Sequence, residues 1–374
     1  MADLTLNGKS YALAELAGRP TQNWQRGLTA YEIQVLQFCR QWLSGQAEFV
    51  LRTSGSTGQP KAISLSRAQM QASAQLTGQA LNLQAGDQAL VCLSTAYIAG
   101  MMMLVRGFEL DLRLTIIDPS RNPLADFPAE TRFDFTALVP LQLHHILTDT
   151  PEKRPILNRM KAILLGGAPV GPALQAQLQP VTAPVYHTYG MTETVTHIAL
   201  KRLNGPQAED YFKPLPEVKL SLDERGCLTI QAPMTEGETV HTNDLVELRP
   251  DGAFRWLGRL DNVINSGGVK VQAEKVEAAL ECLFWGYPGG MLAGRRFCVG
   301  PLPHERLGQA VVAVIEGSPF SAELEAELRA NLGQWLTNYE IPKAFFFADK
   351  LSETPTGKID RLANLADRRF PDEP

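Results

Sequence analysis

Thr53-Ser54-Gly55-Ser56-Thr57-Gly58-Gln59-Pro60-Lys61 packs hydroxyl side chains, two glycines and a lysine into one short stretch. Small residues let the backbone curl so that successive N–H groups converge. The result is a nest for phosphate oxygens, to which the hydroxyls and Lys61 add donors and positive charge. Glu48-Phe49-Val50-Leu51-Arg52 reads as a strand entering the loop, and Ala62-Ile63-Ser64-Leu65 as a strand leaving it. The next helix waits until Ser66, whose spacing to Gln69 is that of a capping box. A G-x-x-x-x-G-K-[ST] loop would run directly into a helix. Here Gln59-Pro60 follows Gly58 and Ala62 follows Lys61, so that reading fails. A plain polar turn is the alternative, and the number of convergent donors argues against it.

Outward from the loop, residues 89 to about 190 alternate short apolar runs with helical stretches. Ala89 to Leu93, Leu112 to Ile117, Phe135 to Val139 and Met160 to Leu165 read as strands. Ile98 to Phe108 and the segment from Leu141 read as helices. Near-continuous apolar strands separated by helices predict a parallel sheet covered on both faces. Ligands bind such sheets at the carboxyl ends of their strands, where Gly166-Gly167-Ala168-Pro169 and Tyr189-Gly190 fall. From about 215 to 257, short β segments separated by Asp223-Glu224-Arg225-Gly226 and Pro250-Asp251-Gly252 predict a small β subdomain. A further unit begins near 262. It has a helix from Glu274 to Leu283, a strand from Ala310 to Ile315, a helix to Leu332 capped by Ser321, and a strand from Ala344 to Ala348. The expected fold is α/β. A large N-terminal domain with a parallel sheet and a β subdomain, residues 1–260, precedes a smaller α+β domain, residues 261–374.

A chain of 374 residues with 44% hydrophobic content accommodates two or three domains with sizeable cores. The net charge of −5 and scattered basic residues speak against nucleic-acid or membrane-surface binding. Cys39, Cys92, Cys227, Cys282 and Cys298 are far apart, with no C-x-x-C pair. Buried free thiols are therefore expected, rather than disulfides or a zinc site. No basic segment followed by an apolar one opens the chain, and the most apolar run, Ile98 to Val105, is far too short to span a membrane. The expectation is a cytoplasmic protein, for which a homodimer is allowed but not required.

The 53–61 stretch resembles the phosphate loop of the acyl- and aryl-adenylate-forming (AMP-binding) enzymes, which include acyl-CoA ligases and adenylation domains. Four further segments resemble that superfamily's signatures, in the same order. They are Tyr189-Gly190-Met191-Thr192-Glu193-Thr194, Thr242-Asn243-Asp244, Gly258-Arg259-Leu260-Asp261 through Gly267-Gly268 to Glu274, and Pro355-Thr356-Gly357-Lys358. The resemblance extends over residues 53–361, most of the chain. It implies an enzyme that joins a carboxylate to the α-phosphate of ATP, expels pyrophosphate and passes the acyl group to a thiol. ATP, Mg²⁺, coenzyme A and a small carboxylic acid are the implied ligands.

The same resemblance assigns roles. Thr53, Ser54, Gly55, Ser56, Thr57, Gly58 and Lys61 would hold the departing phosphates, with Gly167, Ala168, Pro169, Tyr189, Gly190 and Met191 around the nucleotide. Thr192 would contact phosphate and Glu193 would hold Mg²⁺, which prefers oxygen ligands and keeps most of its waters. Tyr189 suits stacking on adenine and equally a place in the core. Asp244 and Arg259 would take the ribose; a surface salt bridge is the alternative for both. Lys358 would bridge carboxylate and α-phosphate during adenylation. Asp261 matches the hinge about which the small domain rotates, withdrawing Lys358 and bringing Gly267-Gly268 to the thiol tunnel. A plain hairpin turn is the alternative for those glycines.

The acid pocket falls near Tyr97, Gly100, Val139 and Gly166. Many family members carry a histidine in the segment matching Ser94 to Ile98, and this chain has none there. Met101-Met102-Met103 reads as core, and His187 and His197 as structural. Fewer residues precede Thr53 than such enzymes usually carry there, which implies a reduced N-terminal part. In that respect, and in Gly258 to Lys270, the chain is similar to compact o-succinylbenzoate–CoA ligases of menaquinone synthesis. Two other readings stay open at this point: an adenylation enzyme loading a separate carrier protein's thiol, and a non-catalytic nucleotide or acyl binder.

Overall fold

The computed structural model describes residues 4–18, 27–54, 60–354 and 359–370. Its largest element is a nine-stranded sheet. Listed from one edge, its strands are Lys213–Pro214, His197–Arg202, Val185–Gly190, Ala162–Leu165, Phe135–Leu138, Gln88–Val91, Arg113–Ile116, Leu4–Leu6 and Lys9–Tyr11. The six strands from Val185–Gly190 to Leu4–Leu6 run parallel, and the outer three pair antiparallel. The inner strands are apolar on both faces because helices cover them. Ala162–Leu165 is buried throughout, as is Ala89 to Val91.

Strand Gln88–Val91 pairs on one side with Arg113–Ile116 and on the other with Phe135–Leu138. The chain order therefore reverses at Gln88–Val91, and the crevice at such a switch point is where a doubly wound sheet takes its ligand. Register aligns Leu138 with Leu165 and Leu165 with His187. The segments after these three strands thus emerge side by side at the carboxyl edge.

The loop stretch is a hairpin. Strands Glu48–Ser54 and Pro60–Ser66 pair antiparallel, with Ser54 opposite Pro60. Gly55, Ser56, Thr57 and Gly58 lie outside the described residues. The backbone of Thr53, Ser54 and Lys61 is placed in the two strands. Phe49, Leu51 and Leu65 alternate into the core. Helix Arg67–Leu81 follows with the expected capping box: the Ser66 hydroxyl accepts from the Gln69 N–H, and the Gln69 side chain accepts from Ser66 N–H. Helix Ile98–Glu109 packs against it.

Four antiparallel strands form the β subdomain: Lys219–Leu222, Cys227–Gln231, Thr239–Leu248 and Phe254–Arg259. Thr239–Leu248, the longest, carries Thr242-Asn243-Asp244 within a strand that the sequence reading did not place. After a single turn over Leu260–Asn262, a five-stranded sheet begins at Val263. It comprises Val263–Ser266, Val269–Gln272, Phe297–His304, Gly308–Glu316 and Ala344–Ala348, packed by helices Ala273–Gly286 and Ala322–Leu332. Ser321 caps the second helix as expected, accepting from Leu324 N–H. Cys39, Cys92, Cys227 and Cys298 are buried and Cys282 is half-buried, all as free thiols.

Candidate active site

A cavity of about 880 Å³ opens at the switch point. Ser94 and Tyr97, following strand Gln88–Val91, form one side of it. Val139 and Gly166-Gly167 follow the next two strands, and Gly190, Met191 and Thr192 close the far side. The sheet's register thus brings Tyr97, Val139, Gly166, Gly167, Gly190, Met191 and Thr192 to one surface. Gly100 lies just behind that surface, with Ser94 carbonyl occupying the place of a side chain. Ala168 and Pro169 are exposed beside Gly167.

The backbone between Gly190 and His197 turns sharply. Residues Thr192–Thr194 form a single 3₁₀ turn. Val195 follows at φ 65°, ψ −66°, and Thr196 N–H bonds back to Thr194 carbonyl at 2.7 Å. This is a classic γ-turn, a strained conformation for a β-branched residue. It is held by Thr194, whose hydroxyl accepts from Met191 N–H at 3.1 Å and lies 2.8 Å from Thr196 carbonyl. At Gly190 the backbone of Thr196 and His197 comes so close that no side chain fits.

Tyr189, Asp244 and Arg259 meet on the other side of this strand. The Tyr189 phenol donates to Asp244 Oδ2 at 2.5 Å. Arg259 is the cross-strand partner of Asp244; its Nη1 lies 4.0 Å from Asp244 Oδ1. Its Nη2 bonds Asp261 Oδ2 at 2.8 Å, and Asn243 donates to the same carboxylate at 3.1 Å. Burial, reinforced by the Asp244 charge, pushes the Tyr189 phenol well above its ordinary range. The Tyr189 ring sits edge-on to Phe254 at 5.0 Å. Its hydroxyl faces the Asp244 and Arg259 pair.

Glu193 is exposed on the turn next to Thr192. No group of three or more metal-ligating side chains occurs among the described residues. Glu193 offers a single exposed carboxylate, an oxygen donor of the kind Mg²⁺ takes together with waters. Gly267 and Gly268 are the turn between strands Val263–Ser266 and Val269–Gln272, at φ 60° and 83°. Positive φ at both turn positions is what a tight hairpin of this kind demands. Gly267 also packs against Leu307 and the Tyr339 ring, and no residue of this turn lines the cavity. Lys358 lies outside the described residues.

Arg106, Thr196 and His197 also line the cavity, and sequence reading gave none of them a role there. Arg106 is 3% exposed, on the inner face of helix Ile98–Glu109. Among the described residues its Nη2 donates to Thr196 Oγ1 at 3.1 Å, its Nη1 meets only Met103 Sδ at 3.8 Å, and its Nε has no partner. No carboxylate pairs with it among the described residues. Burial pushes its pKa down to about 10, which still leaves the guanidinium charged at neutral pH. The signal available in the sequence was an arginine ending an otherwise apolar helical run. His197 is buried, 3.3 Å from Thr77 Oγ1, and burial together with Arg106 pushes its pKa well below the ordinary value.

Residues 42–240 match the model of the AMP-binding enzyme family. A probable 2-succinylbenzoate–CoA ligase of Mycobacterium tuberculosis is 31% identical over 349 residues, covering 87% of this chain and 85% of that protein. A 2-succinylbenzoate–CoA ligase of Lactococcus lactis is 24% identical, over 83% of this chain and 69% of its own length. Among solved structures, an acyl-CoA synthetase (AMP-forming)/AMP-acid ligase II-like protein from Dyadobacter fermentans is 45% identical. It covers 92% of this chain and 97% of its own, with a TM-score of 0.61. The o-succinylbenzoate CoA synthetase of Bacillus subtilis, solved with its acyl-adenylate intermediate, superposes with a TM-score of 0.71 at 22% identity, over 87% and 70% of the two chains.

Proposed function

The chain belongs to the AMP-binding enzymes, and from that membership we propose that it is an ATP-dependent acid–CoA ligase acting on 2-succinylbenzoate. A carboxylate oxygen attacks the α-phosphorus of ATP and the bond to the β-phosphate oxygen breaks, releasing pyrophosphate. The thiol sulfur of coenzyme A then attacks the acyl carbon and AMP leaves.

Arg106 is the observation that carries the choice of acid. The carboxylate that reacts must remain free to reach the α-phosphate. A buried guanidinium with unused donors, set in a cavity walled by Leu138, Val139 and Leu164, therefore calls for a second anionic group on an apolar body. 2-Succinylbenzoate has that form: the succinyl carboxylate is the one activated, and the ring carboxylate meets Arg106.

In this reading the 53–58 loop and Lys61 hold the departing phosphates, and Gly167, Ala168 and Pro169 border the nucleotide. Thr192 contacts phosphate, Glu193 holds Mg²⁺, and Asp244 and Arg259 take the ribose. Mg²⁺ would supply charge neutralisation between phosphate oxygens. Lys358 serves adenylation. The domain boundary lies at Leu260-Asp261, with Asp261 as hinge, and rotation there brings Gly267-Gly268 to the thiol. No helix among the described residues is long and apolar enough to cross a membrane. A cytoplasmic enzyme, monomeric or homodimeric, suits these substrates.

The test is to incubate the protein with ATP, Mg²⁺ and a panel of aryl and acyl acids, and to measure pyrophosphate and thioester with and without coenzyme A. Thioester formation with 2-succinylbenzoate, in preference to 3-benzoylpropanoate, which lacks the ring carboxylate, is expected. Adenylate that persists in the presence of coenzyme A, or indifference to the ring carboxylate, would overturn the reading.

A further inference from the structure

A guanidinium that must pair with a substrate needs something to aim it while the cavity is empty. Among the described residues Arg106 has one oxygen acceptor within reach, Thr196 Oγ1 at 3.1 Å. That hydroxyl is itself held. Ser73 Oγ lies 2.7 Å from it, on helix Arg67–Leu81, and Ser73 is fully buried. Thr77 hydroxyl donates to Ser73 carbonyl at 2.8 Å and lies 3.3 Å from His197 Nε2, tying the next residue to the same helix. A line of contacts therefore runs from helix Arg67–Leu81 through Ser73 and Thr196 to Arg106.

Thr196 reaches this place because of the γ-turn at Val195. Strain of this kind persists only where its surroundings over-determine it, and it concentrates at ligand clamps. Val195 is completely buried on the cavity wall, and Thr194 fixes the turn with its own hydrogen bonds. A relaxed backbone at Val195 would move the Thr196 hydroxyl away from Arg106. The unpartnered Arg106 Nε is the second, independent sign that a ligand belongs here.

We propose that Thr196, seated by Ser73 and by the strained turn at Val195, is a positioning residue for Arg106 and so sets the enzyme's selectivity for acids carrying a second carboxylate. By engaging one Nη2 donor it fixes the plane of the guanidinium and leaves the remaining donors for a bidentate carboxylate. The inference rests on the reading of Arg106 given above. It adds that selectivity depends on a hydroxyl that need not touch the reacting atoms.

The experiment compares kcat and KM for 2-succinylbenzoate and 3-benzoylpropanoate in the wild type, Thr196→Val, Thr196→Ser and Ser73→Ala. Thr196→Val keeps the shape and removes the acceptor. Its preference for the dicarboxylic acid is expected to fall roughly 10-fold or more, mainly through KM for that acid. Thr196→Ser should restore the preference, and Ser73→Ala should lower it in part. If Thr196→Val fails to fold, Ser73→Ala carries the same readout, and an unchanged preference there overturns the inference. A wild type selective for the dicarboxylic acid whose selectivity survives Thr196→Val sinks this inference alone. Equal losses on the two acids, or no rescue by serine, would likewise reduce Thr196 to a packing role. A wild type indifferent to the second carboxylate sinks the reading of Arg106, and this inference with it.

Discussion

Tyr189 and Asp244, 55 residues apart in the chain, are joined by a hydrogen bond of 2.5 Å from phenol to carboxylate. The bond ties the end of a central strand of the large sheet to the middle of the β subdomain. Asp244 is 6% exposed, and among the described residues its carboxylate meets the Tyr189 phenol and, at 4.0 Å, Arg259.

Tyr189→Phe keeps the ring against Phe254 and removes only the donor. It leaves a buried carboxylate short of one partner, at a cost of about 1–3 kcal/mol. We expect lower stability in urea unfolding and a raised KM for ATP, since Asp244 would no longer be held towards the nucleotide. A variant with wild-type stability and wild-type KM for ATP would detach Tyr189 from the nucleotide side of the site.

The parallel sheet was legible because its strands are buried on both faces and read as apolar runs, as at Ala162 to Leu165. Ser66 and Ser321 announced their helices because a capping hydroxyl acts within three residues of itself. The pairing of Leu4–Leu6 with Lys9–Tyr11 escaped notice because three-residue strands show no periodicity. Strand Phe297–His304 contains Pro301 and Pro303, which argue against a central strand; it lies at the sheet's edge, where proline is tolerated. In the site, the glycine and hydroxyl segments stood out because close backbone approach demands those residue types. Arg106 did not, because the lack of a counter-charge is a property of its three-dimensional surroundings. The γ-turn at Val195 was likewise invisible, since valine gives no hint of positive φ.

Gly190, on the cavity wall, and Gly268, in a hairpin turn outside the cavity, differ in what constrains them. At Gly190 a Cβ would collide with the Thr196 carbonyl and His197 Cα, both backbone. At Gly268 nothing lies within 4 Å, and only the φ of 83° disfavours a side chain. Gly190→Ala should therefore cost about 3 kcal/mol or more, as overpacking against fixed backbone does. Gly268→Ala should cost about 1–2 kcal/mol. Unfolding free energies in urea distinguish them; equal losses would mean that the backbone around Gly190 yields easily.

Acid sensitivity should come in part from two histidines, His197 buried and His187 half-buried. Burial, with Lys201 adding to it, pushes His187 down to about 4. His197 is also well below its ordinary value, through burial and Arg106. Both bind protons more weakly folded than unfolded. Below about pH 6.5 the unfolded chain takes up protons that the native state refuses, so stability falls as pH drops from there towards 4. His187 contributes at most about 1.4 kcal/mol per pH unit between those values, and His197 adds to the loss in the same direction. Unfolding free energies at pH 7.5 and 5.5 should diverge less for His187→Gln than for the wild type. An unchanged difference would show that His187 titrates normally.

Arg106→Met should move stability and activity in opposite directions. The native guanidinium is buried with an unpartnered Nε and no counter-charge among the described residues, so it carries a desolvation penalty that none of their carboxylates offsets. Replacing it with an apolar side chain of similar length removes that penalty, and stability should rise by about 1–4 kcal/mol. The bound acid would lose its partner for the second carboxylate. That loss predicts a KM for 2-succinylbenzoate raised by roughly 100-fold or more. Arg106→Lys keeps the charge but not the planar fork, and its KM should fall between the two. The pair of measurements is diagnostic because a structural arginine would behave in the reverse way. Stability would drop on its removal, and the preference for the dicarboxylic acid would stay where it was.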